Sequence, residues 1–176
     1  MMVCLRAIVP ILSLGSALAY TILPTTTIAG EQINWTLTKV NKPDKFELLF
    51  EDKKSGRTVA FLTYNAISKQ TKGGTLMDGL KNSGTGYTDQ TQGRGNLHGF
   101  DVFEKEGDIW RDEWSGECYM LSGPDSKPVQ HCAGGWSVIP GSGTGRFAGL
   151  SGGGTWVAHA LPSGDFEVEA TGNAEK

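Results

Sequence analysis

Two stretches of this chain carry residue types that could do chemistry. The first is Trp110, Asp112 and Trp114, a carboxylate between two indoles at alternate positions. In an extended strand, positions spaced by two share one face. If that face is inward, Asp112 needs a partner or a retained proton, because a lone carboxylate in an apolar interior is costly. It then reads as the polar anchor of a ligand cavity lined by Trp35, Trp110, Trp114 and Trp136. The plainer reading is a structural Asp bonded to a backbone turn or an arginine. Arg111 and Glu113 fall on the opposite face, as solvent charges.

The second stretch is GLSGG, residues 149–153, which fits G-x-S-x-G with Ser151 as a nucleophile. That motif works where a tight strand-to-helix turn exposes the serine. Here a glycine run and a strand pattern follow, and His159 comes before Asp165, the reverse of the order that fold uses. A hydrolase is rejected on both grounds, and no catalytic set is assigned. The neighbouring GSGTGRFAG lacks the Lys-Ser/Thr of a phosphate-binding loop. It also lacks the following helix that a dinucleotide fingerprint requires. His98, His131 and His159 are far apart in the chain, with no H-E-x-x-H and no Cys/His cluster. They read as surface or loop histidines. A metal site would need the fold to bring them together, and neither metal nor cofactor is expected.

The elements that must position these residues are strands. INWTLTKV alternates apolar and polar residues; KFELLFE and RTVAFLTY flank the turn EDKKSG. HGFDVFEKEGDIWRDEWSGECYML reads as two strands around residues 105–108, and WSVIP, GTWVAHAL and DFEVEATG complete the set, with LPSGD as a turn. Period-two alternation broken by frequent turns means a sandwich or barrel. Residues 65–99 are polar, glycine-rich and weakly patterned, and read as long loops around one short strand or helical turn near 75–80. Glycine is abundant, 25 of 176 residues, about twice the usual share, which argues against long helices.

Compartment follows from the N-terminus and the cysteines. Residues 1–19 carry one cation, Arg6, an apolar run and the small-x-small end Ala17-Leu18-Ala19, the pattern of a cleaved signal peptide. A second cleavage point lies near residue 30. Residues 20–32 form a flexible lead-in and 33–176 the domain. The apolar run is too short to span a bilayer, so no transmembrane segment is expected after cleavage. The protein is read as exported, to the periplasm or beyond. Cleavage removes Cys4 and leaves Cys118 and Cys132, an even count that suggests a disulfide. If they are partners in an antiparallel hairpin, Trp114 faces Trp136, Gly116 faces Gly134, and the tip falls at Asp125. Closing a loop of about 15 residues stabilises by about 3 kcal/mol in the chain-entropy account. The formal net charge of −3 gives no basic footprint for nucleic acid.

The run from His131 to Trp156 resembles the small barrels of the allene oxide cyclase and dirigent type. The matching residues are Gly143, Thr144, Gly145, Arg146, Phe147, Gly149, Gly152, Gly154, Thr155 and Trp156. The arrangement is similar to that of many exported bacterial proteins. The resemblance implies an all-β fold, a single antiparallel β-barrel of about eight strands, calycin-like or allene oxide cyclase-like. Gly143, Gly145, Gly149, Gly152 and Gly154 would then form a bend between two barrel strands, with Phe147 plugging the end. Three functions follow. The first is a non-enzymatic exported protein that binds a small apolar ligand. The second is an envelope protein-interaction module or inhibitor. The third, implied by the resemblance, is a cyclase or isomerase with Asp112 or Glu113 as its acid. The balance leans away from an enzyme.

Overall fold

The computed structural model describes residues 31–40, 44–123, 127–161 and 165–176. The expected signal peptide, the tip at Asp125 and most of the LPSGD turn lie outside the described residues. Nine strands form: β1 (Glu31–Val40), β2 (Lys45–Asp52), β3 (Arg57–Lys72), β4 (Lys81–Thr91), β5 (Arg94–Lys105), β6 (Asp108–Ser122), β7 (Pro128–Val138), β8 (Ser151–Ala160) and β9 (Phe166–Glu175). Among the described residues there is no α-helix, only a 3-10 turn at Gly145–Phe147.

All nine strands lie in one antiparallel sheet in the order β1-β9-β8-β7-β6-β5-β4-β3-β2. The long β3 pairs with β2 through Arg57–Thr63, and with β1 through Ile67 to Lys72. β1 is therefore a neighbour of both β9 and β3. Two hairpins turn on Gln92-Gly93 and Glu106-Gly107, where every φ is positive (52°, 76°, 57° and 88°). Such turns match the twist of antiparallel strands and favour glycine at the second position.

The stretch expected to be loops is the main correction. Residues 65–99 contain the second half of β3, all of β4 and the start of β5; only the segment 73–80 and the two-residue turn Gln92-Gly93 lie outside strands. The reason is chemical. The inward positions of β4 are Asn82, Gly84, Gly86 and Thr88, all buried, so the strand alternates in burial without alternating in hydrophobicity.

The hairpin register, by contrast, is as expected. Cys118 opposes Cys132, Trp114 opposes Trp136 and Gly116 opposes Gly134, and the disulfide is formed. Cross-strand pairs define rows across one face of the sheet. One runs Gly86, Gly99, Trp114, Trp136, Gly154, Gly172 across six strands. The Trp114 indole lies over Gly99 and Gly86: a Cβ built on either would come within 2.3 and 2.7 Å of the ring. Trp136 lies over Gly172 in the same way, at 2.7 Å. The next row places Trp156 beyond Gly134, with its ring 2.7 Å from a Cβ built on Gly116.

One end of the sheet is packed solid. Phe103 and Trp110 stack at 4.4 Å between centroids and 7° between planes. Met77 and Leu80 from the 73–80 turn and Phe147 from the 3-10 turn are fully buried with them. The glycine-rich segment after β7 holds Phe147 there. Thr144 N–H donates to the Ile109 carbonyl and Ile109 N–H to Thr144 Oγ1. Arg146 pairs with Glu106 and, at 3.2 Å, with Asp108. Gly143 and Gly145 leave no room for a Cβ, against the Phe147 carbonyl and Asp108 respectively.

The rows generate a contrast that unfolding can read. Gly172→Ala places a methyl against the Gly153 carbonyl and the Trp136 ring, and overpacking of this kind costs about 1–3 kcal/mol. At Gly135 the nearest atom to a built Cβ is 3.4 Å away, so Gly135→Ala is expected to be neutral or stabilising by up to about 1 kcal/mol. Urea unfolding of the two variants measures the difference; equal stabilities would contradict the role given to the glycines.

Candidate functional site

The inner rows do not fill the interior. Beyond the packed end lies a cavity of about 290 Å³ lined by residues from β2 to β9. Its walls include Leu62, Leu97, Trp114, Trp136, Trp156, Ala158, Val168 and Ala170, together with the Cys118–Cys132 disulfide. At the far rim, Gln130 Nε2 donates to Gln90 Oε1 at 2.9 Å and to the Gly93 carbonyl at 2.9 Å. Phe46 of β2, also part of the lining, is more than half exposed there.

At the packed end the cavity meets two carboxylates. Asp101 on β5 and Asp112 on β6 are direct cross-strand partners, and both are buried. Directly opposed side chains on one face have Cβ atoms about 5 Å apart. Gly84 stands opposite Asp101 on β4, and Tyr64 stands opposite Gly84 on β3. The missing side chain at Gly84 lets the half-buried Tyr64 cross β4 and donate its hydroxyl to Asp101 Oδ1 at 2.7 Å. A Cβ on Gly84 would sit 2.1 Å from the Tyr64 ring and 2.3 Å from Asp101 Oδ1. Asp112 Oδ1, Trp114 Nε1 and both amide atoms of Asn82 are buried without a hydrogen-bond partner.

Burial pushes the Asp101 carboxyl up to about 6, although the Tyr64 hydroxyl, the Asn82 amide and the Trp114 indole hold it down. Asn82 and Trp114 lie outside bonding geometry, so we read their effect as that of nearby N–H dipoles. Burial also raises Asp112 well above the usual carboxylate range, and the charge on Asp101 raises it further. Tyr64 is raised well above its ordinary value by burial and then by the Asp101 charge, so it remains a donor. Asp112 therefore holds its proton more tightly than Asp101 does. An ionised and a protonated carboxyl side by side can hold a cationic or hydrogen-bond-donating group. They can also give and take a proton.

The residues singled out from sequence divide. Asp112, Trp114 and Trp136 reach the cavity, with the disulfide Cys118–Cys132 in its wall. Trp110 does not line it; this indole belongs to the packed end, against Phe103. Trp35 is placed on β1, opposite Ala170 of β9 and Gln70 of β3. Of the glycine motif, Phe147 is buried in the packed end, Gly149 has φ +79°, and Gly152 and Gly154 lie on β8 against the backbone of β9. Ser151 opens β8, on an exposed position with no helix after it. Glu113 is exposed on the outer face, where Ser137 Oγ donates to it at 3.3 Å. Sequence reasoning missed Asp101 and Tyr64. The signal for Asp101 was present: a two-residue turn at Glu106-Gly107 puts it opposite Asp112.

No family model and no curated protein matches the sequence. Among solved structures, the chain is similar to a protein of unknown function from the DUF3224 family of Shewanella oneidensis MR-1. The identity is 14%, the coverage 85% of this chain and 96% of that one, and the TM-score 0.42. The likeness to allene oxide cyclase and dirigent barrels is carried by neither result. No helix among the described residues is long and apolar enough to cross a membrane.

The raised carboxyls fix the sign of a pH dependence. Below about pH 4 the folded and unfolded chains are equally protonated, and the pair has no effect. Above it, the unfolded chain releases protons that the folded chain retains. Stability therefore falls from about pH 4 upward, until the folded chain releases its own protons, near pH 6 for Asp101 and at higher pH for Asp112. The slope reaches about 1.4 kcal/mol per pH unit for each group. Asp112→Asn, which mimics the protonated form, should match the wild type at pH 4 and exceed it by at least about 1 kcal/mol at pH 8. Urea midpoints across that range are the check, and a variant weaker than wild type at pH 8 would contradict the assignment.

Proposed function

We propose that this protein is an exported, non-enzymatic binding protein whose sheet works as a β-barrel around a ligand chamber. The ligand class is a small, mainly apolar molecule with one hydrogen-bond-donating group, an amine being the strongest partner. The observation that carries this reading is the buried Asp101–Asp112 pair at the end of an otherwise apolar cavity. A chain that needed only stability would fill this space with side chains, because buried carboxylates weaken a fold. The volume, about 290 Å³, is at the lower end of small-molecule sites. Support for the barrel is the pairing of β1 with both β9 and β3. Support for export is the signal-like pattern of residues 1–19 and a disulfide, which persists in oxidising compartments.

Within the chamber, Trp114, Trp136 and Trp156 would contact the apolar body, and Asp101 would take the polar group. Tyr64 holds Asp101 in place. A second reading, an isomerase or cyclase, is favoured by one observation: Asp101 and Asp112 are raised to different extents. They would thus supply a base and an acid side by side.

Tryptophan fluorescence separates these readings from a closed interior. Titration with a series of small cycloalkyl and aryl amines, and with the matching hydrocarbons, should give saturable quenching, with amines binding at least about tenfold tighter. That ratio corresponds to about 1.4 kcal/mol. Asp101→Asn should erase the preference for amines, and Ala158→Phe, which fills the chamber, should abolish saturation. Absence of saturable quenching by any member, or unchanged binding in Ala158→Phe, sinks the proposal.

A further inference from the structure

The outer face of the sheet carries a cluster that the chamber does not explain. His131 on β7 and His159 on β8 are direct cross-strand partners. Their chain neighbours Cys132 and Ala158 line the cavity, so the two imidazoles stand on the opposite face. The rings meet edge to face, 4.8 Å between centroids and 79° between planes. Nδ1 of one lies 2.7 Å from Nδ1 of the other. Tyr119, opposite His131 on β6, stacks on its ring at 6.2 Å and 18°. Glu167 on β9 stands opposite His159. The row across four strands is Tyr119, His131, His159, Glu167.

Two neutral imidazoles in this arrangement share one proton, which one Nδ1 donates and the other accepts. When that proton moves to Nε2 of its own ring, both Nδ1 lone pairs are free for a divalent metal ion, since the neutral ring nitrogen is a metal ligand. Geometry then selects among metals. Bonds from metal to imidazole nitrogen are about 2.0–2.1 Å, so two such nitrogens are about 2.9 Å apart at a right angle and about 3.3 Å apart at a tetrahedral angle. The observed 2.7 Å is within a few tenths of an ångström of the right-angle value and well short of the tetrahedral one. Right angles belong to the tetragonal geometry of Cu2+ and Ni2+, and Cu2+ leads the affinity series. The half-buried rings are held by strand pairing and by Tyr119, which limits how far they can spread for a tetrahedral ion. Among the described residues no three His, Cys, Asp or Glu side chains already converge. The remaining positions would thus go to solvent, or to Glu167 after a change of rotamer.

We propose that His131 and His159 form a two-nitrogen binding site for a tetragonal divalent metal ion, Cu2+ or Ni2+, on the outer face of the β7–β8 pair. It is independent of the ligand chamber and stands or falls separately from it.

Copper titration followed by electron paramagnetic resonance is the test. The purified protein should bind one equivalent of Cu2+ with an axial signal split by two equatorial nitrogens. Ni2+ should compete for it better than Zn2+. His131→Ala and His159→Ala should each weaken binding at least tenfold, with the far-UV circular dichroism of the wild type. His131→Phe, which keeps a ring against Tyr119, guards against a packing artefact and should lose the ion equally. His98→Ala should bind as the wild type does. The proposal is overturned by a signal that survives either His131 variant, by the absence of a saturable site, or by Zn2+ competing as well as Ni2+.

Discussion

An indole laid flat inside a sheet needs bare backbone on the strands it crosses, and the interior depends on that constraint. Trp114 extends over Gly99 and Gly86, Trp136 over Gly172, and Trp156 toward Gly116. Each ring takes the volume that side chains on the neighbouring strands would occupy. The tryptophans thereby become wall rather than filling, and a chamber remains between them. Glycine is costly in a strand, where it loses the most conformational freedom on folding. The cost is offset by apolar area, since each buried aromatic removes roughly 150–250 Å² from water. A disulfide beside the same rows adds its own restraint on the unfolded chain.

The acidic end depends on the same device. Tyr64 reaches Asp101 only because Gly84 is bare. The bond it makes favours the charged form of Asp101 and so works against burial. Asp112 has no comparable donor on Oδ1 and takes the stronger upward push. One backbone position without a side chain therefore separates the proton affinities of two adjacent carboxyls. This links the sequence choice at residue 84 to the charge state of the chamber.

How much of this was legible follows from what each element buries. The β6–β7 hairpin was readable because Cys118, Cys132 and the tryptophans stand at matching distances from its tip, and one pairing determines the rest. Asp112 was readable because its neighbours at two residues are large and apolar. β4 was not, since its inward residues are two glycines, an asparagine and a threonine. These are chosen by rings on other strands, a fact that no local pattern records. Trp110 looked equivalent to Trp114 by spacing; its depth against Phe103 and Phe147 depends on a loop from far along the chain. The meeting of His131 and His159 was equally hidden. Twelve residues of glycine-rich connection separate β7 from β8, so no turn rule sets their register.

The central claim is that glycine-backed indoles keep an open apolar chamber above a buried carboxyl pair. Diffraction from a crystal pressurised with xenon tests it most directly, since xenon enters apolar cavities and scatters strongly. The account predicts xenon among Leu62, Leu97, Trp114 and Trp156, with Asp101 and Asp112 side by side beneath it. A crystal with no xenon there, and with the indoles folded into the space, would contradict it.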